Sequence, residues 1–402
     1  MARSQTVTTL PSDYNLKLGP VLMNVNGSMG AEYNSNVGLS SSGAQSDFIL
    51  SPQVGVVAQW QATSVNTLRL STSIGYNKYL IHPQYDTGQI LIAPDSVLGF
   101  DLYVGDFKIN FHDQFSYQQD PGTIGSLSNV VNFQRFENVA GIGVIWDLNK
   151  LVLTLNYDHI NFISSNLQVL NGSDLSDPGN LNYNADQVSI SGTYAFTTTL
   201  SAGLEGAASI RQYSNSGVED DAISVGPFVR FEVTPNFKVS ASGGYQAVST
   251  GSGDLTAAQV NTVGLVNPAL GAGTTNSYYV NLTLDHRMNQ YYTDRFSVGH
   301  ETQLDVFSQQ SEVTYVTYTS SWKVNQNLNL AFTVNYQDVT SPSNSLISTP
   351  SYNLFGAGVQ ANFPVTRSIS GSVLYQFNDK FDTPAGQDYV QNRVGLILNY
   401  HF

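Results

Sequence analysis

The feature that most constrains the fold of this chain is a two-residue alternation of apolar and small or polar side chains. It is clearest in the last nine residues, Val394-Gly-Leu-Ile-Leu-Asn-Tyr-His-Phe402. Successive residues of a β-strand point to opposite faces, so this segment predicts a strand with one apolar face. That face comprises Val394, Leu396, Leu398, Tyr400 and Phe402. Such a strand suits either the edge of a soluble sandwich or a wall that contacts lipid.

Other segments show the same alternation and favour the lipid-facing wall. The clearest are 107–117, 278–287 and 328–337, and only Asp113 interrupts the apolar side of the first. Their second face carries Ser, Thr, Asn, Gln and charged residues, whereas a filled sandwich core needs apolar residues there. We therefore expect the apolar face to contact lipid and the polar face to surround a lumen.

Composition supports an apolar outer surface. Only 11% of the 402 residues are charged, against roughly 25% in ordinary globular proteins, and the chain has 23 Tyr and 20 Phe. No stretch reads as a transmembrane helix, because polar residues interrupt each uncharged run. Aromatic residues are predicted to form two interfacial bands. The band near the short turns comprises Trp60, Trp146, Phe196, Phe237, Trp322, Phe363 and Phe402, and the other comprises Tyr33, Tyr76, Tyr157, Tyr245, Tyr336 and Tyr375.

Connections between the predicted strands alternate between short turns and longer polar loops. The turns fall near 63–66, 105–106, 149–150, 198–199, 234–236, 289–294, 325–327 and 365–367. The loops fall near 35–46, 83–95, 118–134, 165–184, 215–220, 250–276, 308–311, 340–351 and 382–389. The fold predicted is all-β, a transmembrane antiparallel up-and-down β-barrel of about 18 strands with short periplasmic turns and longer extracellular loops.

The domain prediction follows from where the alternation begins. Residues 1–20 are expected to be a periplasmic N-terminal lead-in and residues 21–402 an outer-membrane β-barrel. The first five residues lack the basic region and apolar run of a signal peptide, so we expect an export signal to have been removed. The expected location is the outer membrane of a Gram-negative bacterium.

Catalytic, metal and cofactor motifs are absent from the sequence. The chain has no Cys, which excludes thiolate chemistry, and no motif of a hydrolase, zinc enzyme or nucleotide site. The six His residues are expected to be polar rim or lumen residues rather than catalytic bases. Carboxylates at Asp174–Asp177 and Glu219–Asp221 could bind a divalent cation, although solvated loops are the simpler interpretation. We expect no enzyme activity, no cofactor and no metal.

Charged residues predict the lining of the lumen. Many Lys and Arg lie near the short turns and many Asp and Glu near the long loops, which predicts an acidic outer mouth and a more basic inner half. The residues predicted to line the pore are Arg69, Lys108, His112, Glu205, Arg211, Arg230, Glu232, Lys238, Asp285, Arg287, Arg295, Glu301 and Asp305. Asp285, Arg287, Arg295, Glu301 and Asp305 are expected to form a cross-strand salt-bridge ladder.

Several segments also resemble a known family. Ala31-Glu-Tyr-Asn-Ser-Asn-Val37, Ser46-Asp-Phe-Ile-Leu-Ser-Pro-Gln-Val54, Ile74-Gly-Tyr-Asn-Lys-Tyr79 and the terminal Tyr400-His-Phe402 resemble the β-barrel porins of Gram-negative outer membranes. That family includes members encoded beside exopolysaccharide genes. The resemblance implies the barrel fold and carries over no catalytic residues.

The expected function is passive diffusion of small hydrophilic solutes through the lumen, since barrels of about 16 to 18 strands leave an aqueous channel. The alternatives are an export channel for a secreted exopolysaccharide and a plugged structural barrel, in which 250–276 could fold inward. Expected partners are outer-membrane lipid, lipopolysaccharide, and small polar solutes or polysaccharide. A net charge of -14 disfavours nucleic acid. The oligomeric state does not follow from the sequence.

Overall fold

The protein is a closed antiparallel β-barrel. A computed structural model describes residues 14–86, 88–170, 181–215, 217–251, 273–305, 308, 310–340, 351–383 and 386–402. In chain order the strands are β1 Leu16–Leu18, β2 Val21–Asn34, β3 Asp47–Gln61, β4 Thr67–Gly75, β5 Lys78–Tyr79, β6 Leu91–Ile92, β7 Val97–Val104, β8 Phe107–Gln118, β9 Val130–Leu148, β10 Leu151–Val169, β11 Tyr183–Ala195, β12 Leu200–Tyr213, β13 Glu219–Thr234, β14 Phe237–Thr250, β15 Gly273–His286, β16 Tyr292–Leu304, β17 Gln310–Asn325, β18 Leu328–Thr340, β19 Tyr352–Pro364, β20 Ile369–Phe381 and β21 Tyr389–His401. Two 3₁₀ helices, Pro83–Tyr85 and Pro121–Thr123, lie in connections. Within these ranges no helix has the length and apolar character needed to cross a bilayer.

The wall consists of 18 strands, which confirms the predicted fold class. Each long strand pairs with its neighbours in sequence, and the first and last pair with each other, from Asn26 opposite His401 to Asn34 opposite Arg393. Closure leaves no long unpaired sheet edge, which a wall in hydrocarbon cannot tolerate. The three short strands are additions to this wall. β1 covers the end of β2, while β5 and β6 belong to the β4–β7 connection.

The connections alternate in length as predicted. Two-residue turns follow β7, β9, β13 and β17, and most of the intervening connections, such as 35–46 and 119–129, are longer, whereas those after β12 and β16 have only five residues. At the turn after β9, Asn149 has a positive φ of 72°, a conformation that Asn tolerates better than most residues. Both ends of the closed wall, Val21 and His401, lie at the short-turn end.

Side chains of the wall are apolar outside and polar inside. On β21 the predicted outer face is exposed, with Leu396 at 43% and Leu398 at 41%, whereas Gly395 on the inner face is buried. Buried apolar residues gather instead at the loop end of the lumen, in two clusters. The first comprises Leu127, Val130, Phe133, Phe162, Leu167, Val169 and Leu181, and the second Val37, Ile49, Tyr79, Tyr85, Val131 and Leu170. Inward-folded connections therefore form a small core inside the barrel mouth.

Candidate pore and constriction

Hydrogen-bonded tyrosines on the outer surface mark the upper edge of the apolar band. In four strand pairs a tyrosine hydroxyl donates to an Asn or Asp of the following strand, two residues beyond the position paired with the tyrosine. The pairs are Tyr157–Asp186 at 2.8 Å, Tyr245–Asn276 at 2.6 Å, Tyr336–Asn353 at 2.8 Å and Tyr375–Asn392 at 2.8 Å. Repetition of one geometry indicates a belt at a bilayer interface. Tyr76, predicted to belong to it, lies outside the strands in the β4–β7 connection.

The opposite belt lies at the short turns. Trp60, Trp146, Trp322 and Phe402 are exposed there, and Trp146 stacks on Phe107 with ring centroids 5.3 Å apart. On β21 the nine residues from Val394 to Phe402 separate the two belts, and roughly that number of tilted residues crosses a bilayer core. Asp113, which interrupts the sequence pattern, lies on the outer face and accepts a hydrogen bond from Asn138 of β9.

A row of alternating charges crosses four strands at the turn end of the lumen. Glu232 pairs in register with Lys238, Lys238 with Asp285, and Asp285 with Arg295. The ion pairs Lys238 Nζ–Glu232 Oε1 and Arg295 Nε–Asp285 Oδ1 are both 2.5 Å long. The predicted ladder therefore forms with different members. Arg287 lies exposed in the turn after β15, and Glu301 and Asp305 lie toward the loop end of β16 and beyond it.

A second polar network lies on the inner wall of β7 to β10. Lys108 lies 3.3 Å from Asp101 Oδ1, and Asn110 Nδ2 donates to the same oxygen. His112 Nδ1 contacts Asn110 Oδ1 at 3.1 Å, and His112 Nε2 contacts Asp158 Oδ1 at 2.8 Å. The last contact crosses β9 at Gly141, where an added Cβ would lie 2.1 Å from the Asp158 oxygen. Only glycine leaves room for this contact.

Tyrosines cross glycines in the same way on the wall of β12 to β17. Tyr279 of β15 reaches over β14 and β13, and its hydroxyl donates to Glu205 of β12 at 3.1 Å. A Cβ at Gly226 of β13 would lie 2.7 Å from that hydroxyl oxygen. Tyr315 of β17 covers Gly299 of β16. These rings lie flat against the wall because the positions beneath them carry no side chain.

The β8–β9 connection, residues 119–129, folds into the lumen, and we call it the constriction loop. Leu127 is fully buried in the first apolar cluster, and Gln119 is almost fully buried. The amide of Asn129 donates to the Leu39 carbonyl at 3.0 Å, which joins the loop to the β2–β3 connection. The Asn129 side chain donates to the Gly386 carbonyl at 2.9 Å. The loop thus spans from β8 and β9 to the connection before β21.

Arg393 of β21 anchors the near end of the constriction loop. Its guanidinium donates to Glu32 Oε1 at 2.9 Å, Glu32 Oε2 at 3.2 Å and Asp120 Oδ2 at 3.0 Å. Burial alone would raise the pKa of Asp120, but Arg393 and the hydrogen bond from the Gly122 amide hold that pKa below its ordinary value. Asp120 is therefore an anion that binds Arg393 on β21. A recess of about 170 Å³, lined partly by Ser28, Ser51 and Gln53, lies beside Glu32.

Lys380 of β20 anchors the far end of the loop. Its side chain is 1% exposed, and Nζ donates to the Ser126 carbonyl and to Ser128 Oγ, each at 3.1 Å. The ammonium also lies 4.3 Å from the ring centroid of Tyr352. A buried ammonium needs such partners to offset its lost hydration.

Asp305 and Ser308, the two described residues of the β16–β17 connection, also lie inside the barrel. Arg211 of β12 donates to the Asp305 carbonyl at 2.7 Å and lies 4.5 Å from the Tyr183 ring centroid. The Ser308 hydroxyl donates to Asp220 of β13 at 2.6 Å. The pairing of β15 with β16 ends at Val280 and His300, and β16 separates from β15 toward the loop end. There the backbone of Thr302 exchanges two hydrogen bonds with the Gln246 side chain of β14. These contacts place Asp305 and Ser308 against β12 and β13 inside the lumen.

The predicted pore residues occupy different positions in this arrangement. By strand alternation, the inner face carries Arg69, Lys108, His112, Glu205, Arg211, Arg230, Glu232, Lys238, Asp285, Arg295 and Glu301. Asp305 lies in an inward connection and Arg287 in a turn. The sequence did not single out Glu32, Asp120, Lys380 or Arg393. Their neighbours are distant in sequence, so no local pattern could have found them.

Two further expectations concern loops. Glu219, Asp220 and Asp221 lie at the start of β13, so their side chains alternate between faces and do not converge on a cation. The described ranges contain no group of three potential metal ligands. The carboxylates of Asp174–Asp177 lie outside the described residues. So do residues 252–272, which make up most of the segment 250–276 that was predicted to fold inward.

Solved structures share this fold. OccK2 (OpdF) of Pseudomonas aeruginosa, in complex with glucuronate, has a TM-score of 0.51 and 8% identity, covering 94% of this chain and 98% of its own. P. aeruginosa OpdK with vanillate has a TM-score of 0.47 and 11% identity, covering 94% of this chain and 99% of its own. Acinetobacter baumannii OccAB4 has a TM-score of 0.48 and 9% identity, covering 94% of this chain and 98% of its own. No family model matches the chain, and no curated protein does. The fold is that of the outer-membrane porins.

Proposed function

We propose that this protein is an outer-membrane channel through which small hydrophilic solutes diffuse. The observation that carries the proposal is a closed 18-strand wall with an apolar outer band between two aromatic belts and a polar inner face. A barrel of this size encloses more space than its inward side chains fill. The constriction loop, together with Asp305 and Ser308, occupies part of that space, so the channel discriminates among solutes by size and charge.

Solved channels of this fold support a solute-specific role. Their structures hold glucuronate in OccK2 and vanillate in OpdK. Both ligands are small and polar, and a lumen with paired charges, amides and flat tyrosines suits solutes of that size. We propose no enzyme activity and no resident cofactor. Outer-membrane lipid and lipopolysaccharide are the proposed surroundings of the outer face.

Planar-bilayer recording of the purified protein tests the channel function. We expect discrete conductance steps in potassium chloride, because an aqueous lumen carries ions. Truncation of Lys380 to Ala should raise the conductance, since the constriction loop loses its buried anchor. Leu204→Ala, at a lipid-exposed position of the outer face, is the control and should conduct like the wild type. Absence of steps from folded wild-type protein would show that the barrel is plugged or structural.

Export of a secreted exopolysaccharide is the second candidate. The flat tyrosines Tyr279 and Tyr315 favour it, because exposed aromatic faces stack on sugar rings. The two inward connections favour small solutes instead, since a polymer needs a continuous wide path. Deletion of the gene followed by measurement of surface polysaccharide separates the candidates. Loss of polysaccharide with intact small-solute uptake would favour export.

A further inference from the structure

The inner wall of β12 to β17 holds carboxylates without cationic partners. Glu205 accepts a hydrogen bond from the Tyr279 hydroxyl, and Glu301 accepts one from Gln303 Nε2 at 2.6 Å. Neither forms an ion pair with any residue in the described ranges. Carboxylates elsewhere on the wall do pair with cations, as Asp101 with Lys108, Glu137 with Arg135 and Glu32 with Arg393. Glu205 and Glu301 are therefore two carboxylates of this inner wall that have no salt-bridge partner within the described ranges.

Two aromatic faces lie beside these carboxylates. Val280 opposite His300 is the last pair between β15 and β16, so Tyr279 and Glu301 are the next residues on the two strands, where the strands begin to separate. The Tyr315 hydroxyl accepts a hydrogen bond from Asn281 Nδ2 at 2.5 Å. Because each ring lies over a glycine, its other face is turned to the lumen. The face of an aromatic ring attracts cations, so the rings and the carboxylates favour the same kind of solute.

The nearest cations do not neutralise this wall. Arg230 lies on β13 nearer the turn end, where its guanidinium stacks 4.9 Å from the Phe228 ring centroid. Arg211 lies nearer the loop end, between the Asp305 carbonyl and the Tyr183 ring. Along the axis of the barrel, Arg230 and Arg211 lie on opposite sides of Glu205. A solute that reaches Tyr279 therefore meets carboxylates and aromatic faces.

We propose that Glu205 and Glu301, with the rings of Tyr279 and Tyr315, make the lumen select small solutes that carry an ammonium group. This inference rests on the proposed channel function and names the solute class. The carboxylates attract the charge, and the tyrosine faces contact the charge or an attached ring. The basic residues Arg69 and Arg230 lie closer to the turn end of the lumen than Glu205 does.

Two recordings test the selectivity. A potassium chloride gradient across the bilayer gives the permeability ratio of potassium to chloride, which we expect to exceed one. Blockade of the current by D-glucosamine and by N-acetyl-D-glucosamine is then compared at about pH 6, where the free amine is protonated. The charged sugar should block at a lower concentration than its neutral acetylated form.

Three substitutions assign the effect to the proposed residues. Glu205→Gln and Glu301→Gln keep size and hydrogen bonding, and each should lower the potassium-to-chloride ratio about twofold and weaken glucosamine blockade. Glu312→Gln makes the same charge change on the outer face of β17 and should alter neither.

The outcomes separate this inference from the channel function. A protein that conducts but blocks equally with both sugars, or whose Gln variants behave like the wild type, overturns the inference and leaves the channel standing. A folded protein that never conducts overturns both. Preferential glucosamine blockade that is lost in Glu205→Gln or Glu301→Gln and kept in Glu312→Gln supports the inference.

Discussion

At the residue scale, glycine positions decide which side chains meet inside the barrel. Gly141 lets His112 contact Asp158 across β9, and Gly226 lets Tyr279 reach Glu205. In each case two polar groups satisfy each other over a strand that presents only backbone. Glycine in a strand usually weakens it, so its presence here reflects the space that the crossing side chain requires.

Gly141→Ala tests this role. The new Cβ would lie 2.1 Å from Asp158 Oδ1 and 2.6 Å from the Tyr157 carbonyl oxygen, so backbone and side chain must both move. We expect a loss of about 2 kcal/mol in the free energy of unfolding, which is typical of overpacking. Urea titration in lipid vesicles measures it. Gly27→Ala, whose Cβ meets nothing within 4 Å, is the control. Equal loss in both variants would contradict a local steric cause.

At the element scale, the constriction loop is held at both ends by cations from distant strands. Arg393 binds Asp120 and Lys380 binds Ser126 and Ser128, whereas the middle of the loop packs through Leu127. The loop carries no cation among residues 119–129, so its position depends on charges that β20 and β21 supply. A change in the charge of Asp120 should therefore change the constriction.

The pH dependence of the constriction follows from Asp120. The pKa of Asp120 in the folded protein lies below the ordinary value. The stabilisation that the Asp120 anion gives the constriction loop is therefore fully present above the unfolded pKa and is lost as pH falls through the lowered folded pKa. We expect the part of the conductance that depends on Asp120 to stay constant from neutral pH down to the ordinary Asp range, about pH 4, and to rise only below it. Asp120→Asn should show the higher conductance at neutral pH and no acid step. A step between pH 5 and 6 in both proteins would assign it to another group.

At the scale of the whole molecule, the outer face determines stability in the membrane. The closing pair of β2 and β21 presents an apolar outer row, and the inner row of β21 is small or polar apart from Ile397. Hydrocarbon replaces the internal core that a soluble protein of this size would have, because the barrel interior is a lumen.

A charge placed on either face of β21 tests this inversion. Leu398→Arg puts a guanidinium on the outer face near the middle of the apolar band and should cost about 2–4 kcal/mol of unfolding free energy in vesicles. Asn399→Arg puts the same group on the inner face, where water solvates it, and should cost less than half as much. Comparable losses of unfolding free energy at the two positions would mean that neither face of β21 contacts water.

The two-residue alternation was sufficient to predict the barrel, because the side-chain period of a strand and the presence of lipid on one side act on each strand separately. The strand number, the order of turns and loops, and the outward position of Leu396 and Leu398 follow from that local rule. The contacts of Arg393 with Glu32 and Asp120, and of Lys380 with the constriction loop, depend on which strands become neighbours when the wall closes. These contacts join residues 252 to 361 positions apart, so only the tertiary structure could decide them.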